Sequence, residues 1–288
     1  MSSMPNPVLN DKAFAKAVAR TPDQSGWGSP SGTSQEVQRG PDATAPKWNP
    51  PVSDGPVTPW RSANPMTARG AVSATLLLMV VLIGAATFGW VQVPDVAAGE
   101  AAKFPAWTLI GMLVGLGCAL VLTFKPNFAR VLAPVYAVAT GVAVGAISKA
   151  YNDAYSGIVL QAVGATLGVF VVMLVAYRSG IIRVTARFRR VVIGATLGVM
   201  LFYGVSMLLS LFGTDIFPQG SSLMSIGFSF LVAGIAAMNL ALDFDFIEKA
   251  EAAGAPKYME WYAAFGLLVT LVWLYLEILR LLSKMRDR

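Results

Sequence analysis

Seven stretches of this chain contain no Asp, Glu, Lys or Arg: residues 70–94, 104–124, 131–148, 154–177, 191–214, 216–242 and 261–276. A helix needs about 20 apolar residues, with a range of about 17–25, to cross the hydrocarbon of a bilayer. Six of the blocks reach that length. The seventh does so if one carboxylate, Glu277, is carried through to Leu282. Backbone groups in lipid must be satisfied inside the segment, so each block reads as a helix. Only 13% of the residues are charged, against about 25% in a soluble domain. The sequence therefore predicts an all-α integral membrane protein, a seven-transmembrane-helix bundle. The approximate spans are 68–93, 104–124, 131–149, 155–177, 191–212, 221–243 and 261–282, within a domain covering 67–288.

Residues 1–66 have another character. Eleven of the 17 prolines lie there, among many Ser, Gly, Thr and Asp residues with no apolar period. Such a segment buries too little surface to offset chain entropy. It is expected to be a disordered cytoplasmic tail whose Trp48 and Trp60 stretches can touch headgroups or a partner.

Orientation follows from Lys and Arg in the short loops. With the N-terminus in the cytoplasm, the inner loops hold Lys125, Arg130, Arg178, Arg183, Arg187, Arg189, Arg190, Lys249 and Lys257, and the outer loops only Lys103 and Lys149. This predicts a multi-pass protein of the cell membrane. Arg280, Lys284, Arg286 and Arg288 run against the rule, because seven crossings put them outside. These juxtamembrane clusters suit topology and anionic lipid, and no nucleic-acid role is indicated.

Composition removes several chemistries. There is no histidine, and Cys118 is the sole cysteine. Ser-His catalysis, His-ligated zinc, axial-His haem and cysteine metal cages are excluded. No cofactor and no enzymatic activity are expected. An aspartyl protease is disfavoured, because neither intramembrane acid lies in a Gly-x-Gly-Asp context. Any pH response must run through carboxylates.

Three acids stand out. Asp243 and Asp245 follow the sixth block with no break in apolar character, and Glu277 lies in Trp273-Leu274-Tyr275-Leu276-Glu277-Ile278. An ionised carboxylate in hydrocarbon costs several kcal/mol, so it faces the interior, pairs, or takes a proton. Asn239 is i−4 from Asp243 and shares its face; Thr270 is i−7 from Glu277. The plainer reading has Asp243 and Asp245 mark the solvated end of helix six, and Glu277 pair with Arg280. Four spans also carry Gly-xxx-Gly: Gly111/Gly115, Gly141/Gly145, Gly164/Gly168 and Gly194/Gly198. Such faces let backbones approach closely, and packing within one bundle is expected of all four.

At these residues the sequence resembles the Bax inhibitor-1 family, also called the transmembrane BAX inhibitor motif or YccA-like family. The supporting stretches are Asp243-Phe-Asp-Phe-Ile247, Glu248-Lys249-Ala-Glu251, Lys257-Tyr258-Met259-Glu260-Trp261-Tyr262 and the closing Leu276-Glu277-Ile-Leu-Arg280-Leu-Leu. The resemblance covers about residues 66–288. It implies two layers of three helices around a central last helix. It also implies a pH-dependent calcium leak, gated by an aspartate on helix six and another on the last helix, with a basic latch. Asp243 matches the first aspartate, and Asp245 stands where the family has Gln. For the second, a Leu-Tyr-x-acid match gives Glu277, whereas loop length and the closing Arg-Leu-Leu give Thr270. Helix two has no arginine, so Lys125 and Arg130 at its cytoplasmic end are the latch candidates. Asp243 and Glu277 are the expected transient calcium ligands. Other readings are a non-conducting adaptor for a membrane protein, such as a protease, and a proton-coupled small-solute transporter.

Overall fold

The computed structural model describes residues 64–94, 106–210, 212–213 and 222–288. The expected disordered tail and its tryptophans lie outside the described residues, apart from positions 64–66. Seven helices long and apolar enough to cross a membrane are present among them. They are α1 (Ala68–Val91), α2 (Ala106–Phe124), α3 (Ala129–Ala154), α4 (Ile158–Arg178), α5 (Ala186–Ser210), α6 (Leu223–Ala252) and α7 (Met259–Arg286). A single 3-10 turn, Pro126–Phe128, links α2 to α3.

The expected spans correspond to these helices in order. The largest differences are at charged ends. Helix α6 runs nine residues beyond Asp243, and α5 begins at Ala186, before Arg189. Asp243 and Asp245 are thus interior to a helix and do not mark its end. The stop comes at Ala253, where Gly254 adopts φ +65°. Its N–H bonds Glu251 O at 2.9 Å, and Ala255 N–H bonds Ala250 O at 3.0 Å. This closure satisfies the last carbonyls, and it favours glycine because a side chain there would be strained.

Helix α7 is the hub. Helices α1, α3, α4 and α6 all pack on it; α1 and α2 pack on α3, and α4 and α5 pack on α6. Two three-helix groups therefore flank the last helix, as the resemblance implies. One core joins Leu78, Leu82, Leu122 and Tyr136 to Leu268 and Phe265 of α7. The rings of Tyr136 and Phe265 meet edge to face at 4.9 Å. A second core joins Ile158, Ala162, Leu240 and Phe244 to Leu267, Leu271 and Leu274 of α7.

The first group closes through its glycines. A Cβ on Gly145 would fall 1.9 Å from Ala86 O, one on Gly141 2.6 Å from Leu82 O, and one on Gly89 2.2 Å from Val142 O. Gly111 and Gly115 lie in the same way against Ala139 O and Thr140 Oγ1. The expectation that all four motifs pack inside the bundle needs correction. A Cβ on Gly164, Gly168, Gly194 or Gly198 would meet nothing within 4 Å. Helices α4 and α5 each spend one face on α6 or α7 and leave their glycine faces outward.

The start of α1 is completed by the far end of the chain. Thr67 N–H and its hydroxyl donate to Glu260 Oε1 at 3.0 and 3.2 Å, and Ala68 N–H donates to Glu251 Oε1 at 2.9 Å. Carboxylates satisfy orphan N–H groups and favour the positive helix end. Gly70 makes the approach feasible, because a Cβ there would overlap the Glu260 carboxyl. Just before α1, Met66 N–H bonds Ala255 O at 2.7 Å, and Pro65 pairs with Pro256.

Candidate functional site

Two polar clusters line the seam between α5, α6 and α7. The first surrounds Asp243. A cavity of about 340 Å³ is lined by Arg189 and Ile193 of α5, by Asn239, Asp243 and Phe246 of α6, and by Tyr262 and Gly266 of α7, among others. Asp243 Oδ2 is buried and has no hydrogen-bond partner among the described residues. On the α7 side the carboxyl faces the Thr270 hydroxyl, which itself donates to Gly266 O at 3.1 Å. One turn along α6, Asn239 Nδ2 donates to Thr196 Oγ1 at 2.8 Å and to Ile235 O at 2.9 Å. The polar stripe expected from the i, i+4 spacing of Asn239 and Asp243 therefore exists, and it continues onto α5.

Asp245 points to a different face and is 6% exposed. Its Oδ2 accepts from Arg189 Nη2 at 2.6 Å and from Lys249 Nζ at 2.8 Å. Arg189 therefore lines the Asp243 cavity while bonded to Asp245. Lys125 and Arg130, the expected latch, are exposed at the α2–α3 turn, and neither lines this cavity. The cation in position is Arg189. In the sequence it reads as one of five loop arginines, because the first turn of α5 is as basic as the loop before it.

The second cluster lies toward the opposite end of the bundle. Glu277 is 2% exposed. Its Oε1 accepts from Tyr203 Oη at 2.9 Å and from Arg280 Nη1 at 3.0 Å. Arg280 Nη1 also donates to Tyr203 Oη at 2.9 Å, and its guanidinium lies 5.2 Å from that ring's centroid. Both readings of Glu277 hold together, since it is interior and paired with Arg280. One turn beyond, buried Lys284 donates to Ser229 Oγ at 2.9 Å. Arg286 reaches Ser156 O and Gln161 Oε1. Three of the four cations that broke the loop-charge rule are thus held by side-chain and backbone oxygens of the bundle.

Asp243 and Glu277 do not share a site. Thr270 is the α7 residue against Asp243, and Glu277 lies seven residues on, about 10 Å along the axis at 1.5 Å per residue. The expected calcium pair is not assembled, and no group of three or more His, Cys, Asp or Glu side chains among the described residues could hold a metal ion. Of the two sequence matches for the second acid, Thr270 is the one placed opposite Asp243. Between the clusters sits an apolar layer of Val199, Val232, Ile235 and Met238 with Trp273. Sequence reasoning missed Arg189, Thr196 and Tyr203. Helical spacing relates residues on one element only, and these three act across elements.

A family model described as Bax inhibitor 1 like matches residues 6–287, so the match extends into the proline-rich tail as well as the helices. No curated protein and no solved structure matches the chain.

Proposed function

Because the chain belongs to the Bax inhibitor 1 like family, we propose that it is a pH-sensitive calcium leak of the cell membrane, gated at the Asp243 cavity. The observation that carries this reading is the buried, unpartnered Asp243 Oδ2 beside a cation, Arg189, that is bonded elsewhere. A hydroxyl has one hydrogen to give. Thr270 has an alternative acceptor in Gly266 O, so a protonated Asp243 can donate to that hydroxyl and close the contact. At low pH the α6–α7 contact is made and the seam is shut.

On ionisation the contact loses its proton and a second negative charge appears two residues from Asp245. Arg189, shared between cavity and ion pair, is then drawn toward Asp243. The α5–α6 contact loosens and leaves a passage lined by acid groups. Calcium prefers oxygen ligands, and acidic rings select cations. The leak therefore rises with pH. In this reading the N-terminus is cytoplasmic, as the loop cations argue, and the protein is a conduit and not a catalyst. Purified protein in liposomes tests it: calcium flux should climb as pH rises from acid to neutral, and Asp243→Asn should flatten that climb. Equal pH profiles in the two proteins would remove Asp243 from the gate.

A second reading is a non-conducting adaptor that binds another membrane protein. The outward glycine faces of α4 and α5 favour it. Stable co-purification with a partner, together with no flux in liposomes, would select it. A proton-coupled transporter predicts interrupted helices, and none of the seven described helices is interrupted.

A further inference from the structure

A second cavity, of about 460 Å³, opens at the end of the bundle where α1, α3 and α7 begin. It is lined by Asn64, Asn127, Arg130, Pro256, Lys257 and Tyr258. The residues come from three separate segments: the lead-in to α1, the α2–α3 turn and the α6–α7 loop. Two of these are fastened to each other by the Met66–Ala255 bond and the Pro65–Pro256 pairing.

Its chemistry is one-sided. Five of the six residues offer N–H or O–H donors, two of them cationic, and no carboxylate lines it. Among the described residues neither Arg130 nor Lys257 makes an ion pair. Apart from Asp243, which is enclosed in its own cavity, the described acids of the α6–α7 end are committed. Asp245 holds Arg189 and Lys249, and Glu248 accepts from Tyr177 at 2.5 Å. Glu251 and Glu260 cap α1. The protein places two exposed cations around one hollow with no carboxylate in its lining, which leaves the hollow open to an anion from outside.

We infer that this cavity binds a phosphate group, with Arg130 and Lys257 as its charge partners and Tyr258, Asn64 and Asn127 as neutral donors. Arginine supplies a planar fork for phosphate oxygens and lysine a point charge. The cavity lies at helix ends, the depth of lipid headgroups, so an anionic phospholipid is one source of that phosphate and a free phosphate ion the other. The inference does not depend on the leak, and its test does not measure flux.

The full chain, purified and exchanged into a mixture of phosphatidylglycerol and phosphatidylcholine, is examined by native mass spectrometry. One phosphatidylglycerol should be retained in preference to phosphatidylcholine. Arg130→Gln/Lys257→Gln should lower that retention about thirty-fold, at about 1 kcal/mol per surface cation. Arg187→Gln, which removes an exposed cation on the same side but outside the cavity, should leave it unchanged. In a parallel arm, thermal stability is followed against inorganic phosphate alone. Stabilisation that the double variant abolishes, without lipid retention, assigns the site to the free ion. No phosphate response together with equal retention of the two lipids overturns the proposal. So does equal loss in the double variant and Arg187→Gln. Circular dichroism of the double variant separates loss of the site from loss of the fold.

Discussion

The two three-helix groups around α7 are built by different means. In the α1–α3 group, backbone meets backbone, and glycines at 89, 141 and 145 lie directly on carbonyl oxygens of the facing helix. In the α4–α6 group, contact runs through side chains that bond across the seam, Arg189 to Asp245 and Asn239 to Thr196, and Tyr203 extends the pattern to Glu277 of α7. Without a hydrophobic drive between helices in lipid, close packing and interhelical hydrogen bonds are the remaining sources of association. Close packing has one geometry and resists change. A hydrogen-bonded seam has alternatives, because donors can exchange acceptors. The contrast teaches that the rigid half is a frame and the polar half is where movement is available.

The sharpest way to break this contrast is to add carbon to the frame. Gly145→Ala sets a methyl against Ala86 O, which cannot yield without moving α1. We expect a cost of about 3 kcal/mol, read as a large drop in thermal midpoint in detergent. Next in size is the proposed gate. Asp243→Asn should remove most of the rise of calcium flux with pH at little cost in stability.

Asp245→Asn tests the shared cation. With its ion pair gone, Arg189 is available to Asp243 throughout. An opposite charge favours the ionised acid, so flux should begin to rise at a lower pH than in the unaltered protein. Because Arg189 and Lys249 are about half exposed, the stability cost should be only about 1 kcal/mol. Tyr203→Phe removes two hydrogen bonds at the far cluster, one given to Glu277 and one accepted from Arg280; because those two keep each other, it should cost only about 1 kcal/mol in denaturation. Smallest of all is Gly198→Ala on the outward face of α5, which should stay within about 0.5 kcal/mol. A large loss there would place a protein surface, and not lipid, against α5.

The number of helices was legible because hydrocarbon imposes a length on every span, and charge-free blocks of that length have no other use. Asp243 and Glu277 were legible because an acid inside such a block is conspicuous. Arg189 was not, since an arginine at a helix start looks like its loop neighbours until the fold brings α5 against α6. The glycine motifs were legible as motifs but not as contacts. Gly141 and Gly164 look alike in sequence, and only the packing of α3 against α1 separates them. The pairing of Asp243 with Thr270, and not with Glu277, depends on the register of two helices, which no spacing within either one encodes.

The cap on α1 has a consequence for biosynthesis. The first span reaches the membrane with two of its backbone donors, at Thr67 and Ala68, waiting on Glu251 and Glu260. At roughly 5–20 residues per second, those acids follow on the order of ten to forty seconds later. Until then α1 has only water or headgroups at its end. Translation of the last helix is thus the event that locks the first in place, and a chain cut short before Glu251 would leave its opening helix unfastened.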